Sequence, residues 1–173
     1  ALHLRLREPD ARGLHDLASE LAADAREHGG WCVVNERLDV ALAADVQGAQ
    51  MGSGALPIPA ARSVAGEDLV LGASAHDPAE VRRARRDGAD FVLLGTIYAT
   101  PTHPEIEPSG VELVEACRGL GVPVVAIGGM EAGRVAEVRR AGADGVAAVR
   151  AVWDAGRPAG AARVLIDEFV EAR

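Results

Sequence analysis

Short apolar runs alternate along the chain with longer stretches in which apolar residues return every three or four positions. The short runs predict strands at Leu2–Arg7, Trp31–Asn35, Gly48–Met51, Leu69–Ser74, Phe91–Leu94, Val122–Ile127 and Gly145–Val149. Several of them, such as Val122-Pro-Val-Val-Ala-Ile127, are apolar almost without interruption. That is the pattern of strands covered on both faces, as in a parallel sheet. The longer stretches predict helices at Leu14–His28, Pro78–Asp87, Gly110–Leu120, Glu131–Ala141 and Pro158–Ala172, with shorter ones near Val40–Ala44 and Pro59–Val64. In the first helix Leu14, Leu17, Ala18, Leu21, Ala22 and Ala25 fall on one face, and His28-Gly-Gly30 ends it.

A local repeat supports a β/α unit used more than once. Ala79-Glu-Val-Arg-Arg-Ala84 returns as Ala136-Glu-Val-Arg-Arg-Ala141, and each copy leads through Gly-Ala-Asp (Gly88 to Asp90, Gly142 to Asp144) into an apolar strand. Strands alternating with helices imply right-handed βαβ connections. The expected fold class is α/β, a TIM (β/α)8 barrel. Seven strands are counted where such a barrel takes eight, so the first βα unit is expected upstream of Ala1, and residues 1–173 are expected to supply strands 2–8 of a single barrel domain. A doubly wound open sheet is the rival, but it wants a glycine-rich turn after its first strand. Glu8-Pro-Asp-Ala-Arg12 offers none.

Composition narrows the chemistry. Hydrophobic residues make up 49% of the 173, and aromatic residues only 3%, so the core must be aliphatic and no base-stacking platform for single-stranded nucleic acid is available. A net charge of −8 argues against a phosphate-backbone binder, and no nucleic-acid partner is expected. All 18 basic residues are arginines, which removes Schiff-base chemistry and the P-loop lysine. Cys32 and Cys117 sit in apolar segments and read as small buried hydrophobes. No apolar run approaches the ~20 residues of a membrane span and no signal peptide is legible, so the expectation is a soluble cytoplasmic protein with no membrane partner.

In a barrel, chemistry follows the C-terminal ends of strands. Ala126-Ile-Gly-Gly-Met130 places Gly128 and Gly129 between a buried strand and a helix, where backbone can approach an anion and helix N–H groups favour it. The next strand leads to Arg150 and Ala151, and barrels often bind phosphate after their last two strands. A side chain at Gly129 is therefore expected to take the space of the anion. The fifteen-residue loop Gly95–Ser109 is long for a compact domain. It carries Thr96, Thr100, Thr102 and His103, hydrogen-bonding groups suited to a polyanion; the bland alternative is a surface lid. Ser74 and His76 close a further strand, and Asn35 another. Arg5 and Arg7, two apart, share one face of the first strand and would need an anionic partner. Each of these singly fits a cap or a solvated side chain as well as a function.

As a set, Leu6-Arg7-Glu8, Val34-Asn35, Asp39-Val-Ala-Leu42, Gly72-Ala-Ser-Ala-His76, Gly88-Ala-Asp90, Thr100-Pro-Thr102, Ala126-Ile-Gly-Gly-Met130 and Gly142-Ala-Asp-Gly145 resemble, in order and spacing, the thiamine phosphate synthase / TenI family. The resemblance runs to about Trp153. It implies a (β/α)8 barrel and anion contacts at Arg7, Asn35, Ser74, Thr100, Thr102 and the Gly128-Gly129 turn. Synthases of the family join a pyrimidine pyrophosphate to a thiazole phosphate with Mg2+ on the pyrophosphate. TenI-like members bind thiazole phosphate, and some are thiazole tautomerases.

The chain departs from both patterns. Where the synthases carry two lysines it has Pro9 and His103. Glu36 stands for an aspartate and remains a weak metal candidate, and Ala55 stands for a second metal carboxylate. Where tautomerases carry a histidine it has Thr96. The set of residues reads as that of a TenI-like thiazole-phosphate-binding protein, tautomerase activity included. His103 is the first candidate for proton transfer, since an ordinary histidine titrates near 6.5, and His76 is its competitor. The alternatives are a divergent thiamine phosphate synthase and a non-catalytic phosphate-binding regulatory barrel. No cofactor is expected unless the chain is a synthase, which would use Mg2+. The partner is a small phosphorylated thiazole or pyrimidine ligand, with a homo-oligomer left open.

Overall fold

The computed structural model describes residues 1–6, 10–101 and 104–172. Seven parallel strands occur in the order of the chain: β1 (Leu2–Leu4), β2 (Cys32–Asn35), β3 (Gly48–Met51), β4 (Val70–Ala75), β5 (Phe91–Leu94), β6 (Val124–Ile127) and β7 (Gly145–Ala147). Helices alternate with them: α1 (Ala11–Glu27), α2 (Leu38–Ala43), α3 (Ile58–Ala65), α4 (Pro78–Arg86), α5 (Glu112–Cys117), α6 (Val135–Ala141), α7 (Arg150–Trp153) and α8 (Pro158–Glu171). The α/β class and the parallel strands agree with the apolar runs.

The chain divides into two compact units. The first holds residues 1–74 and 86–90, the second residues 75–85 and those from 91 onward. In the first, β1 pairs with β2, β2 with β3 and β3 with β4. Val34, Ala49 and Leu71 of the strands are fully buried, as are Ala18 of α1, Ala41 of α2 and Ala61 of α3. Alanine on the covered helix face lets a helix approach its strands closely, and each buried Val or Leu contributes roughly 1.5–3 kcal/mol. In the second unit β5 pairs with β6 and β6 with β7, over a core containing Val81, Val92, Leu94, Val114, Ala126, Val135 and Val138.

The repeated Gly-Ala-Asp has a structural role. Asp90 accepts the Leu71 N–H at 2.7 Å, and its own N–H donates to the Leu71 carbonyl. Asp144 does the same with Val124, at 2.9 and 2.8 Å. Each aspartate thus fixes the start of the neighbouring strand from both sides of one residue.

Element ends depart from expectation where capping decides them. α1 begins at Ala11, three residues early, because the Asp10 carboxylate accepts the Gly13 N–H at 2.8 Å. α6 begins at Val135, four residues late. The left-handed turn at Gly133 delays it (φ +88°), and Glu168 of α8 accepts the Gly133 and Ala136 N–H groups at 2.9 and 3.0 Å. β6 begins after Pro123, which has no N–H for the ladder. β7 ends at Ala147, so Arg150 and Ala151 open α7, a helix the apolar pattern did not announce.

β1 ends at Leu4, where its pairing with Val34 stops. The expected strand to Arg7 is therefore corrected to one that ends at Leu4. Arg5 lies beyond the strand and is exposed, and Arg7 lies outside the described residues. No described helix is long and apolar enough to cross a membrane.

Candidate functional site

In the first unit the polar groups gather where the parallel strands end. Gln50 of β3 is the one buried polar side chain among the described residues, 1% exposed. Its Nε2 donates to Ser74 Oγ of β4 at 3.2 Å, and its Oε1 has no partner. A buried acceptor left unpaired costs about 1–3 kcal/mol, so a ligand offering an N–H or O–H there would recover that loss. Asn35, at the end of β2, stands near the His3 side chain. Packing lowers the His3 pKa although the residue is exposed; the neighbouring Asn35 amide works against that, and the charge of Arg5 adds to it. His3 is therefore neutral near pH 7. Glu36 follows with φ +62°, its N–H donating to the Gln50 carbonyl at 2.8 Å and its carboxylate lying over Gly52.

In the second unit Gly128 and Gly129 follow β6 with φ of +101° and +62°. The expectation that a Gly129 side chain would take the anion's space is corrected. A Cβ there would lie 2.7 Å from the Ala99 carbonyl oxygen and 2.8 Å from Tyr98 Cβ, in space the protein itself fills. Thr96 packs against Gly128, its Cγ2 2.7 Å from where a Cβ would stand. Arg134 donates to the Gly129 carbonyl at 2.7 Å and lies 4.8 Å from the centre of the Tyr98 ring. The Tyr98 hydroxyl donates to Glu137 at 2.7 Å. Burial first, then that carboxylate, pushes the Tyr98 pKa up to about 12, with Arg134 opposing. The long loop is tied at its base: the Ser109 N–H donates to the Thr96 carbonyl at 2.9 Å and the Gly110 N–H to the Ile97 carbonyl at 3.0 Å.

The other candidates divide. His76 is exposed, and both its backbone N–H (2.8 Å) and its ring Nδ1 (3.1 Å) meet Glu80, an arrangement that holds the start of α4. Arg150 pairs with Asp154 four residues on, at 2.9 Å, so its charge is already engaged within α7. Thr100 is half-buried and Ala151 half-buried. Thr102 and His103 lie outside the described residues. Burial raises the thiol pKa values of Cys32 and Cys117, which are free and buried, in keeping with small core residues.

Sequence reasoning passed over Gln50, Tyr98, Arg134 and Glu137. Gln50 left a signal, a polar residue inside a four-residue strand that is buried throughout. The Tyr98–Arg134–Glu137 cluster left none, because its members are 36 and 39 positions apart in pairs made by folding alone.

The fold defines the class: an α/β protein of parallel β/α units whose polar groups and glycine turn stand at strand C-terminal ends. The chain belongs to the thiamine monophosphate synthase family, whose model matches residues 1–152. It is 39% identical over 175 aligned positions to the thiamine-phosphate synthase of Moorella thermoacetica, covering 100% of this chain and 83% of that protein. It is 41% identical over 160 positions to a thiamine biosynthesis bifunctional protein of Symbiobacterium thermophilum, covering 91% of this chain but only 33% of that one. Among solved structures, thiamine phosphate pyrophosphorylase from Pyrococcus furiosus superposes with a TM-score of 0.92 at 30% identity, covering 98% of this chain and 82% of that one.

Proposed function

We propose that the chain acts as a thiamine-phosphate synthase, joining a pyrimidine pyrophosphate to a thiazole phosphate with release of pyrophosphate. The observation that carries this is the match, across the full chain, to a relative named for that activity. It favours the synthase alternative over the TenI-like tautomerase reading, for which the Thr96 position already lacks the histidine. In the reaction the bond from the pyrimidine's methylene carbon to the pyrophosphate oxygen breaks as that carbon bonds the thiazole nitrogen. The protein's task is to hold both ligands and stabilise the departing charge. Ser74, oriented by Gln50, and Asn35 are assigned as hydrogen-bond donors to ligand in the first unit. Thr96, Thr100 and the Gly128-Gly129 backbone are assigned to phosphate in the second, with Arg7, Thr102 and His103 added by family resemblance. Arg5, Arg150, Ala151 and His76 keep at most secondary roles, since Arg150 and His76 already have internal partners.

Mg2+ belongs to this reading. Among the described residues no three His, Cys, Asp or Glu are grouped to hold a metal. Glu36 is the carboxylate at the β2 end, and Ala55 supplies none. The described residues group no cage of carboxylates, and in this reading a Mg2+ ion would be held mainly by ligand phosphate oxygens and water, as this ion often is. An upstream βα unit is proposed to complete a closed eight-stranded barrel, with residues 1–173 as part of that one domain.

The experiment is an assay of the full natural protein with both phosphorylated substrates and Mg2+, following thiamine phosphate and pyrophosphate together. Stoichiometric formation of both, at rates normal for enzymes, is expected. Tight thiazole-phosphate binding without turnover would replace the synthase, against which Pro9 and Ala55 speak, by the regulatory, binding-only reading.

A further inference from the structure

We propose that the second unit carries a further anion site, at the opposite strand ends from the Gly128-Gly129 turn, shaped for a compact polyphosphate such as pyrophosphate. It does not rest on the synthase reading. A cleft of about 780 Å3 opens there, lined by Arg118, Arg139, Arg140, Asp144, Val122 and Pro123. Val122 and Pro123 precede β6 and Asp144 precedes β7, which places the cleft at strand N-terminal ends. Three arginines facing one carboxylate make a cationic patch on a chain of net charge −8.

Arginines at helix C-termini often do no more than offset the negative end of the helix, and one of these does that. Arg139 donates to the Ala143 carbonyl at 2.8 Å and lies 4.8 Å from the Phe169 ring centre. Arg118 and Arg140 differ: among the described residues neither guanidinium makes a hydrogen bond or an ion pair. The repeat gives an internal comparison. In its first copy Asp90 is paired with Arg62 at 2.6 Å. In its second copy Asp144 bonds backbone, and none of the neighbouring arginines is paired with it.

Packing positions the Arg118 stem, and a fourth arginine lies beside the cleft. The Arg118 stem crosses Gly142, with Cγ 2.8 Å from where a Cβ would stand there, and the Arg85 guanidinium lies over Gly121 with Cζ 2.6 Å from where a Cβ of Gly121 would stand. Both glycines thus leave space that arginine side chains fill. Guanidinium groups around a half-open cleft match the geometry of phosphate oxygens. Val122 and Pro123, which also line the cleft, carry apolar side chains that do not compete for the anion.

The test is titration of the 15N-labelled protein with pyrophosphate at fixed ionic strength, read at the backbone amides of Gly119, Gly121 and Gly142. Saturable shifts are expected there. The double variant Arg118→Ala/Arg140→Ala, whose side chains are exposed, should weaken them by about tenfold or more, as loss of two charge-assisted contacts implies. The amides of Gly128 and Gly129 report the other end separately and should respond alike in both proteins. Shifts reproduced by potassium chloride, an affinity unchanged in the double variant, or orthophosphate binding as tightly as pyrophosphate would overturn the proposal.

Discussion

Gln50 donates its amide N–H to the Ser74 hydroxyl at 3.2 Å while its own carbonyl oxygen stays buried and unpaired. The pair fixes where the serine hydroxyl points at the end of β4. Gln50→Leu removes one modest hydrogen bond together with an unpaired acceptor, so stability should change by no more than about 1 kcal/mol. Binding of thiazole phosphate should weaken about three- to tenfold, because Ser74 loses its orienting donor. Ser74→Ala should weaken it similarly, and the double variant should be no worse than either single one, the sign of two residues acting as one. Additive losses in calorimetric titration would separate them.

Gly129 answers to the fold before it answers to ligand. With φ +62° and protein atoms 2.7 Å from the space a Cβ would take, Gly129→Ala should cost about 2–4 kcal/mol of stability. Gly133 also has a left-handed φ, +88°, but nothing within 4 Å of a Cβ. Gly133→Ala should cost only the backbone strain, about 1–2 kcal/mol. Equal losses in urea denaturation would mean that the contact with Ala99 and Tyr98 yields freely.

Tyr98 should leave a signature at alkaline pH. The fold favours its neutral hydroxyl, with a pKa pushed up to about 12 from 10.0. The stability it contributes is fully present below the unfolded value and is lost as pH rises from there through the folded one. It is the single tyrosine of the chain, so tyrosinate absorbance reports it alone. Unfolding midpoints should fall through this window in the native protein, and the part due to Tyr98 should vanish in Tyr98→Phe. A tyrosine titrating at its ordinary value in the folded protein would contradict the Glu137 contact.

The order of strands and helices was readable from the sequence because burial on both faces writes itself as unbroken apolar runs, and a covered helix face as a three-to-four repeat. The Cys32–Asn35 strand and the Leu14–Ala25 face are the clearest cases, whereas Val124–Ile127 alternates between buried and half-buried positions. Position along the chain also placed part of the candidate site: Asn35, Ser74 and Gly128-Gly129 were expected at strand ends, and in the structure they stand there. The rest depended on pairings between residues distant in sequence. Nothing local announces that Glu168 caps α6 or that Arg134 clamps the Gly129 turn against Tyr98. Local propensity and periodicity act over a few residues and so are legible in the sequence. Which donor meets which acceptor across tens of residues is settled by packing, and that only the tertiary structure decided.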